Sequence, residues 1–221
     1  MAISKLNFNS LNVTPSANSV IGFDSGADDL ETGAGGGSMV FIKKLTASSS
    51  GTLSFVDGAS SVVLDSTYKE YMFIFNNIHP ASADANLQVN FSIDAGSNYN
   101  VAKTSTFFRT QHGESGSGAE LGYEASLDLA QGTAVKKISQ TSGADNDQGI
   151  SGILHLFNPS STTFVKHFIS QTNVSYAYSE PYAYSSYTAG YANTTSAVDA
   201  VQFSINSGNM DTGTITLYGI N

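Results

Sequence analysis

The closing segment Ala189–Asn221 contains two runs in which apolar and polar residues alternate. In the first run, Val201, Phe203 and Ile205 are separated by polar residues, and in the second run Ile215 and Leu217 alternate with threonines. Successive side chains of a β-strand point to opposite faces of the sheet. The pattern therefore predicts two half-buried strands joined by a Gly-containing turn, with an ordered strand closing the domain.

Similar strand patterns recur from Met39 onward. Leu87–Ile93 alternates most cleanly, and Glu70–Asn76 is apolar on both faces, which favours a central strand. Two turn sequences, Asp94–Asn98 and Asn158–Thr162, predict hairpins to the strands that follow them. The other predicted strands are Val40–Thr46, Thr52–Val56, Tyr99–Lys103, Thr104–Arg109, Leu127–Ala134, Val135–Gln140, Ile150–Phe157 and Thr163–Ser170. His112–Gly122 and Thr141–Gln148 are predicted loops.

With about ten strands and no convincing helix, residues 39–221 are expected to form a jelly-roll-like antiparallel β-sandwich.

Composition agrees with one large all-β domain. The chain has 221 residues, of which only 12% are charged while 40% are hydrophobic, so it is too apolar for disorder and too poor in helix formers for a bundle. Its formal net charge of −9 opposes binding to nucleic acid or to an anionic membrane surface. No apolar run is long enough to cross a membrane as a helix, so membrane insertion is not expected.

Cysteine is absent, which excludes disulfides, thiolate metal sites and cysteine nucleophiles. The first residues lack the apolar core of a secretory signal, so we expect synthesis in a cytoplasm without a signal peptide.

Residues 1–38 differ from the rest of the chain and are interpreted as an extended N-terminal arm. Short apolar positions are separated by Asn, Ser and Pro15, and the segment ends in the glycine-rich joint 32–38. Such an arm is expected to dock on another protein, with folding back onto its own domain as the alternative. The positions assigned to assembly are Ile3, Leu6, Phe8, Leu11, Val13 and Phe23.

Catalytic patterns are weak, and the chain is not expected to be an enzyme. No Gly-x-Ser-x-Gly elbow is present, and the acidic pairs fall in glycine-rich loops where solvation explains them. His155 and His167 lie on the two arms of a predicted hairpin and are candidates for a metal pair, although no third ligand stands beside them. No cofactor is expected apart from calcium, for which Asp145 and Asp147 are the first candidates, with the segment Asp24–Glu31 as a second.

A dense tyrosine segment is the strongest candidate for a contact surface. Tyrosine combines a flat apolar face with a hydroxyl group, which suits both sugar stacking and protein interfaces. The alternative is that half of these rings fill the core of a domain that has no tryptophan. The residues are Tyr176, Tyr178, Tyr182, Tyr184, Tyr187 and Tyr191.

Three segments resemble small virion structural proteins of tailed bacteriophages, especially those of marine bacteria. They are Leu64–His79 (LDSTYKEYMFIFNNIH), Leu156–Ser170 (LFNPSSTTFVKHFIS) and Ala189–Ile220. These are strand and turn signatures, so the resemblance implies a class of protein and no catalytic position. It would cover about residues 39–220, preceded by a variable attachment segment.

The resemblance implies a non-enzymatic protein of the virion that binds other virion proteins through its arm. A tail-fibre or receptor-binding role is favoured, with a homotrimeric state and a host surface glycan or outer-membrane protein as the target. The alternative is a capsid decoration or cement protein that stabilises the shell by mass action. A lectin or glycan depolymerase is a third hypothesis, against which the missing signal peptide and the missing catalytic carboxylate pair both count.

Overall fold

The computed structural model describes residues 20–23, 30–33, 38–177 and 181–221. Side chains are described for all of these except 20–23, 30–33 and Ala177. The described residues form β-strands, with a single short 3-10 turn at Ala125–Leu127 and no α-helix among them. Contacts divide the chain into two units, with the boundary after Val40. In the first unit, β1 (Val20–Phe23) and β2 (Leu30–Gly33) pair in antiparallel orientation.

The second unit, residues 41–220, contains two antiparallel sheets packed as a sandwich. Its strands are β3 (Met39–Thr46), β4 (Thr52–Val56), β5 (Glu70–Pro80), β6 (Leu87–Ser92), β7 (Lys103–Gly113), β8 (Glu120–Tyr123), β9 (Leu129–Gly132), β10 (Lys136–Lys137), β11 (Gly149–Phe157), β12 (Lys166–Ala177), β13 (Pro181–Ala192), β14 (Ala200–Ile205) and β15 (Met210–Ile220). The large sheet has the order β3-β15-β5-β11-β12-β13-β7-β8, and β9 pairs with the remaining part of β7. The small sheet has the order β10-β6-β14-β4. The predicted antiparallel β-sandwich is confirmed.

Aromatic side chains from both sheets meet in the core. Phe203 of β14 packs edge-on against Phe73 and Phe75 of β5, with ring centroids 5.1 Å apart in both pairs. Phe55 of β4 lies 5.3 Å from Phe73. All four rings are almost completely buried, so this aromatic cluster joins the small sheet to the large one.

The alternation predicted for the closing strands is confirmed. Val201, Phe203 and Ile205 are buried on β14, and Ile215 and Leu217 are buried on β15. The turn between the two strands carries the chain from the small sheet to the large one, since β14 and β15 have their partners in different sheets.

The hairpin predicted after Asp94–Asn98 is wrong. The turn forms, but residues 99–102 then cross between the sheets without pairing as a strand. Two hydrogen bonds link them to β6, one from the Val101 N–H to the Phe91 carbonyl at 3.5 Å and one from Asn90 Nδ2 to the Tyr99 carbonyl. The strand that follows, β7, pairs with β13, β8 and β9 in the large sheet. Local alternation identifies a strand but not its partner, because pairing depends on which sheet buries its apolar face.

Two other predictions needed revision at strand ends. The predicted loop His112–Gly122 is shorter, because β7 runs to Gly113 and β8 begins at Glu120, where it pairs with Gln111. The hairpin across Asn158–Thr162 is confirmed as β11 and β12, although β12 begins at Lys166 rather than at Thr163.

Three lysines are completely buried, an unusual feature in a chain with nine basic residues. Lys103 Nζ donates to Asn90 Oδ1 at 2.5 Å and to the Val101 carbonyl at 2.8 Å. Lys136 Nζ donates to the Leu127 carbonyl at 2.6 Å and lies 5.1 Å from the centre of a phenylalanine ring. Burial lowers the pKa of both lysines to about 8, since neutral oxygens replace only part of the lost hydration.

Candidate binding site on the large sheet

The face of the large sheet that points away from the small sheet, here called the outer face, carries many uncharged aromatic and aliphatic side chains. One row across the sheet runs through Ile153, Gln171, Tyr187, Phe108 and Tyr123, each residue directly opposite the next on the neighbouring strand. Residues directly opposite one another have side chains in contact range. The outer face thus carries neighbouring aromatic rings on β13, β7 and β8, with uncharged side chains beside them on β11 and β12.

A depression of about 440 Å³ lies on this sheet over β7, β12 and β13. Small residues, Ala189 and Gly190, lie at its centre, and larger side chains from the adjacent strands stand around them. The residues that line it are Thr104, Ser105, Thr106, His167, Phe168, Ile169, Ala189, Gly190 and Tyr191. The depression arises because the small side chain of Ala189 on β13 lies between the larger side chains of Ile169 on β12 and Thr106 on β7.

Aromatic rings stand on β13 on both sides of Ala189. Tyr187 stacks on Phe108 with nearly parallel rings, 8° apart, and a centroid distance of 4.9 Å. Tyr191 lies 6.1 Å from His167 at a tilt of 59°. Since residues i and i+2 of a strand share a face, both tyrosines project on the same side as Ala189.

Amide side chains hold the tyrosine hydroxyls. Gln171 Nε2 donates to Tyr187 Oη at 3.1 Å, and Gln131 Nε2 donates to Tyr191 Oη at 3.4 Å. Gln131 is fixed in turn by Thr104 Oγ1, which accepts from its backbone N–H at 3.1 Å and from Nε2 at 2.9 Å. Each phenol therefore accepts one hydrogen bond and keeps its own proton available for another acceptor.

Charged groups near the tyrosine segment lie on the opposite side of the sheet. Arg109 Nε donates to Glu124 Oε1 at 2.5 Å, and its guanidinium carbon lies 5.6 Å from the centre of the Tyr184 ring. Burial raises the pKa of the Tyr184 phenol despite this neighbouring cation. The arginine is thus already paired with Glu120 and Glu124.

The predicted tyrosine surface is divided between the two faces of the large sheet. Tyr187 and Tyr191 lie on the outer face. Tyr182 and Tyr184 lie on the inner side, together with Tyr176, which is directly opposite Tyr182 and donates to Asp84 Oδ1 at 2.7 Å. Tyr178 lies outside the described residues. The parity of the positions explains this division, because 182 and 184 are even and 187 and 191 are odd on one continuous strand.

The candidate metal residues are not brought together. The described residues include no group of three or more His, Asp or Glu side chains able to hold an ion. Asp145 Oδ2 accepts from Gln148 Nε2 at 3.3 Å, and the Asp147 backbone carbonyl accepts from Ser175 Oγ at 3.1 Å. His155 is opposite Ile169 rather than His167, and its Nδ1 lies 2.5 Å from Glu70 Oε1.

Most of the positions assigned to the arm lie outside the described residues, namely Ile3, Leu6, Phe8, Leu11 and Val13. Phe23 ends β1, where its backbone pairs with Leu30. In the second calcium candidate, Asp24 and residues 25–29 lie outside the described residues, and Glu31 is part of β2.

Sequence reasoning did not identify Phe108, Thr104 and Gln131 as parts of one site. They lie about 60 to 90 positions before Tyr187 and Tyr191 and reach them only through the pairing of β7 with β13 and with β9. The alternation in Thr104–Arg109 predicted a strand, and pairing that strand with the tyrosine segment would have found them.

Comparisons with protein families, with curated proteins and with solved structures gave no significant match. A search of the described residues for a helix long and apolar enough to cross a membrane found none.

Proposed function

We propose that this chain is a non-enzymatic structural protein of a bacteriophage particle, displayed on the tail to make contact with the host. The observation that carries the proposal is the depression on the outer face, with Tyr187 and Tyr191 on either side of Ala189 and amide groups holding their hydroxyls. Concave sites with aromatic walls and a few placed polar groups are typical of ligand recognition. The resemblance of three strand and turn segments to virion proteins supports the particle as its location.

The organisation of the chain supports display on a particle. Residues 41–220 form a compact unit of their own, and the boundary after Val40 separates it from the segment assigned to attachment. In this proposal the arm binds other virion proteins and the sandwich faces outward. A homotrimer is the proposed state, because closed cyclic symmetry is usual in such assemblies.

A capsid decoration role is the second candidate, and exposed apolar side chains favour it. Leu121 is 72% exposed on β8, and Phe164 is 68% exposed in the turn before β12. Side chains of this kind are often covered by a neighbouring subunit. In this role the outer face would be buried against the shell and would add stability to it.

Copy number and position in purified particles test the proposal. Quantitative mass spectrometry against the major capsid protein is expected to give on the order of tens of copies, and cryo-EM is expected to place them at the tail. Hundreds of copies on the shell would contradict the attachment role and favour decoration. Absence from the particle would contradict both roles.

A further inference from the structure

We infer that the depression over Ala189 binds a neutral sugar of a cell-surface polysaccharide. This inference rests on the proposed attachment function and assigns its ligand. Three observations support it, namely the shape of the depression, the groups that surround it and the orientation of the nearby lysines.

The shape suits a short extended chain of sugar rings. Tyr187 and Tyr191 are four positions apart on β13, which places their Cα atoms about 13 Å apart along the strand. Ala189 lies midway between them and gives the site a low floor. Ile169, which is 51% exposed, and Thr106 form the two side walls.

The surrounding groups match the two kinds of surface that a sugar presents. The C–H face of a sugar ring is apolar and packs on an aromatic ring, while its hydroxyls need donors and acceptors. Tyr191 and His167 supply the rings at one end of the depression. The Tyr191 hydroxyl and the imidazole of His167, an exposed residue, supply polar atoms beside them.

Gln131, whose side chain donates to the Tyr191 hydroxyl, has a strained backbone conformation. Its φ angle of 53° lies in the left-handed region, which a non-glycine residue rarely adopts, and it sits where the pairing of β7 with β9 shifts register. Thr104 Oγ1 accepts from it twice, and Asn193 Nδ2 donates to its Oε1 at 2.5 Å. Strained residues held by several contacts are concentrated at binding sites, which agrees with a positioning role for Gln131.

The orientation of two lysines leaves the depression without a fixed positive charge. Lys166 precedes His167 and Lys103 precedes Thr104, yet both lysines are completely buried on the inner side of the sheet. Lys166 Nζ donates to the carbonyls of Phe164 and Thr194, both at 3.0 Å. Since an acidic polysaccharide would need cations on this face, and the chain has a net charge of −9, a neutral sugar is the better match.

The test uses the labelled full-length chain and cells of the host of the virus that encodes it. Binding to cells is measured before and after periodate oxidation, which destroys sugar rings, and before and after protease treatment. We expect binding to be lost after periodate and kept after protease. The neutral polysaccharide fraction extracted from the same cells is expected to compete for binding, and the acidic fraction is not.

Three variants test whether the binding takes place at the depression. Tyr191→Ala removes a stacking ring and Ala189→Leu fills the floor, so each is expected to weaken binding about tenfold or more. Tyr218→Ala is the matched control, because Tyr218 is also half-buried on the outer face but lies on β15, four strands and about 19 Å from β13. Thermal unfolding of each variant checks that it has folded.

Each outcome has a distinct meaning. Binding that survives periodate, that is competed only by the acidic fraction, or that is the same in Tyr191→Ala as in Tyr218→Ala would overturn the neutral-sugar site while leaving the attachment function in place. If the folded wild-type chain does not bind host cells at all, the attachment function itself fails.

Discussion

Replacing Phe203 by alanine is expected to lower the free energy of unfolding by about 3–5 kcal/mol. The ring is completely buried and packs against Phe73 and Phe75 of the opposite sheet, so its removal leaves a cavity where the two sheets are joined. Urea denaturation followed by tyrosine fluorescence measures the change, since the chain contains no tryptophan.

Phe164→Ala is the control for this prediction. Phe164 is 68% exposed, so its truncation is expected to change the free energy of unfolding by no more than about 0.5 kcal/mol. Equal losses for the two variants would mean that the aromatic cluster is not what joins the sheets.

Raising the pH from about 8 to 10 is expected to stabilise the fold, with Lys103 and Lys136 as the main cause. Their pKa values are lowered to about 8 in the folded state from 10.5, so in this range the unfolded chain binds more protons than the folded chain. The free energy of unfolding therefore rises with pH, by at most about 3 kcal/mol per lysine if the whole interval up to 10.5 is counted.

The double variant Lys103→Met, Lys136→Met is expected to reduce this rise while keeping the length of the side chains. The part of the rise that remains is assigned to Lys166, because burial lowers its pKa as well. Denaturation curves at about pH 7.5, 8.5 and 9.5 give the slope of the unfolding free energy against pH for the wild type and for the variant. The slope is compared because the loss of the lysine hydrogen bonds lowers stability by the same amount at each pH and so does not change it. The scan stops before pH 10 because burial raises the pKa of Tyr71, an effect that destabilises the fold at higher pH. A slope that is the same in both proteins would contradict the account of the buried lysines.

The sequence predicted the strands well because each has one apolar face. The alternation of Val201, Phe203 and Ile205 requires a buried side, and β14 provides it in the small sheet. Which strands pair is a different matter, decided by contacts between residues far apart in the chain. The hairpin expected after Asp94–Asn98 failed for this reason, since β7 buries Phe107 on the inner side of the large sheet instead.

The candidate binding site was only half predictable. The density of tyrosines near residue 187 directed attention to the segment that forms β13, but the composition could not assign each ring to a face before the register was known. Tyr184 and Tyr187 are close in sequence and project to opposite sides. Phe108 comes from β7 beside β13, and Gln131 comes from β9 beside β7, and no local pattern indicated either pairing.

The sequence placed Lys166 on the face of its strand opposite to His167, but the complete burial of the lysines was not predicted, since a lysine in a strand is usually exposed. Lys166 stands at a position whose neighbours Phe168 and Ser170 are also buried, so the strand period requires it to point inward. The carbonyls that receive its ammonium belong to Phe164 and Thr194, and only the folded chain brings them together.

Competition for virus adsorption tests most directly the claim that the outer face of the large sheet makes the contact with the host. Under the proposed function, host cells are incubated with the purified full-length chain, and the adsorption rate of the phage proposed to carry it is then measured. We predict that the wild-type chain and Tyr218→Ala slow adsorption and that Tyr191→Ala does not. Unchanged adsorption in the presence of saturating wild-type chain, or equal inhibition by Tyr191→Ala, would contradict it.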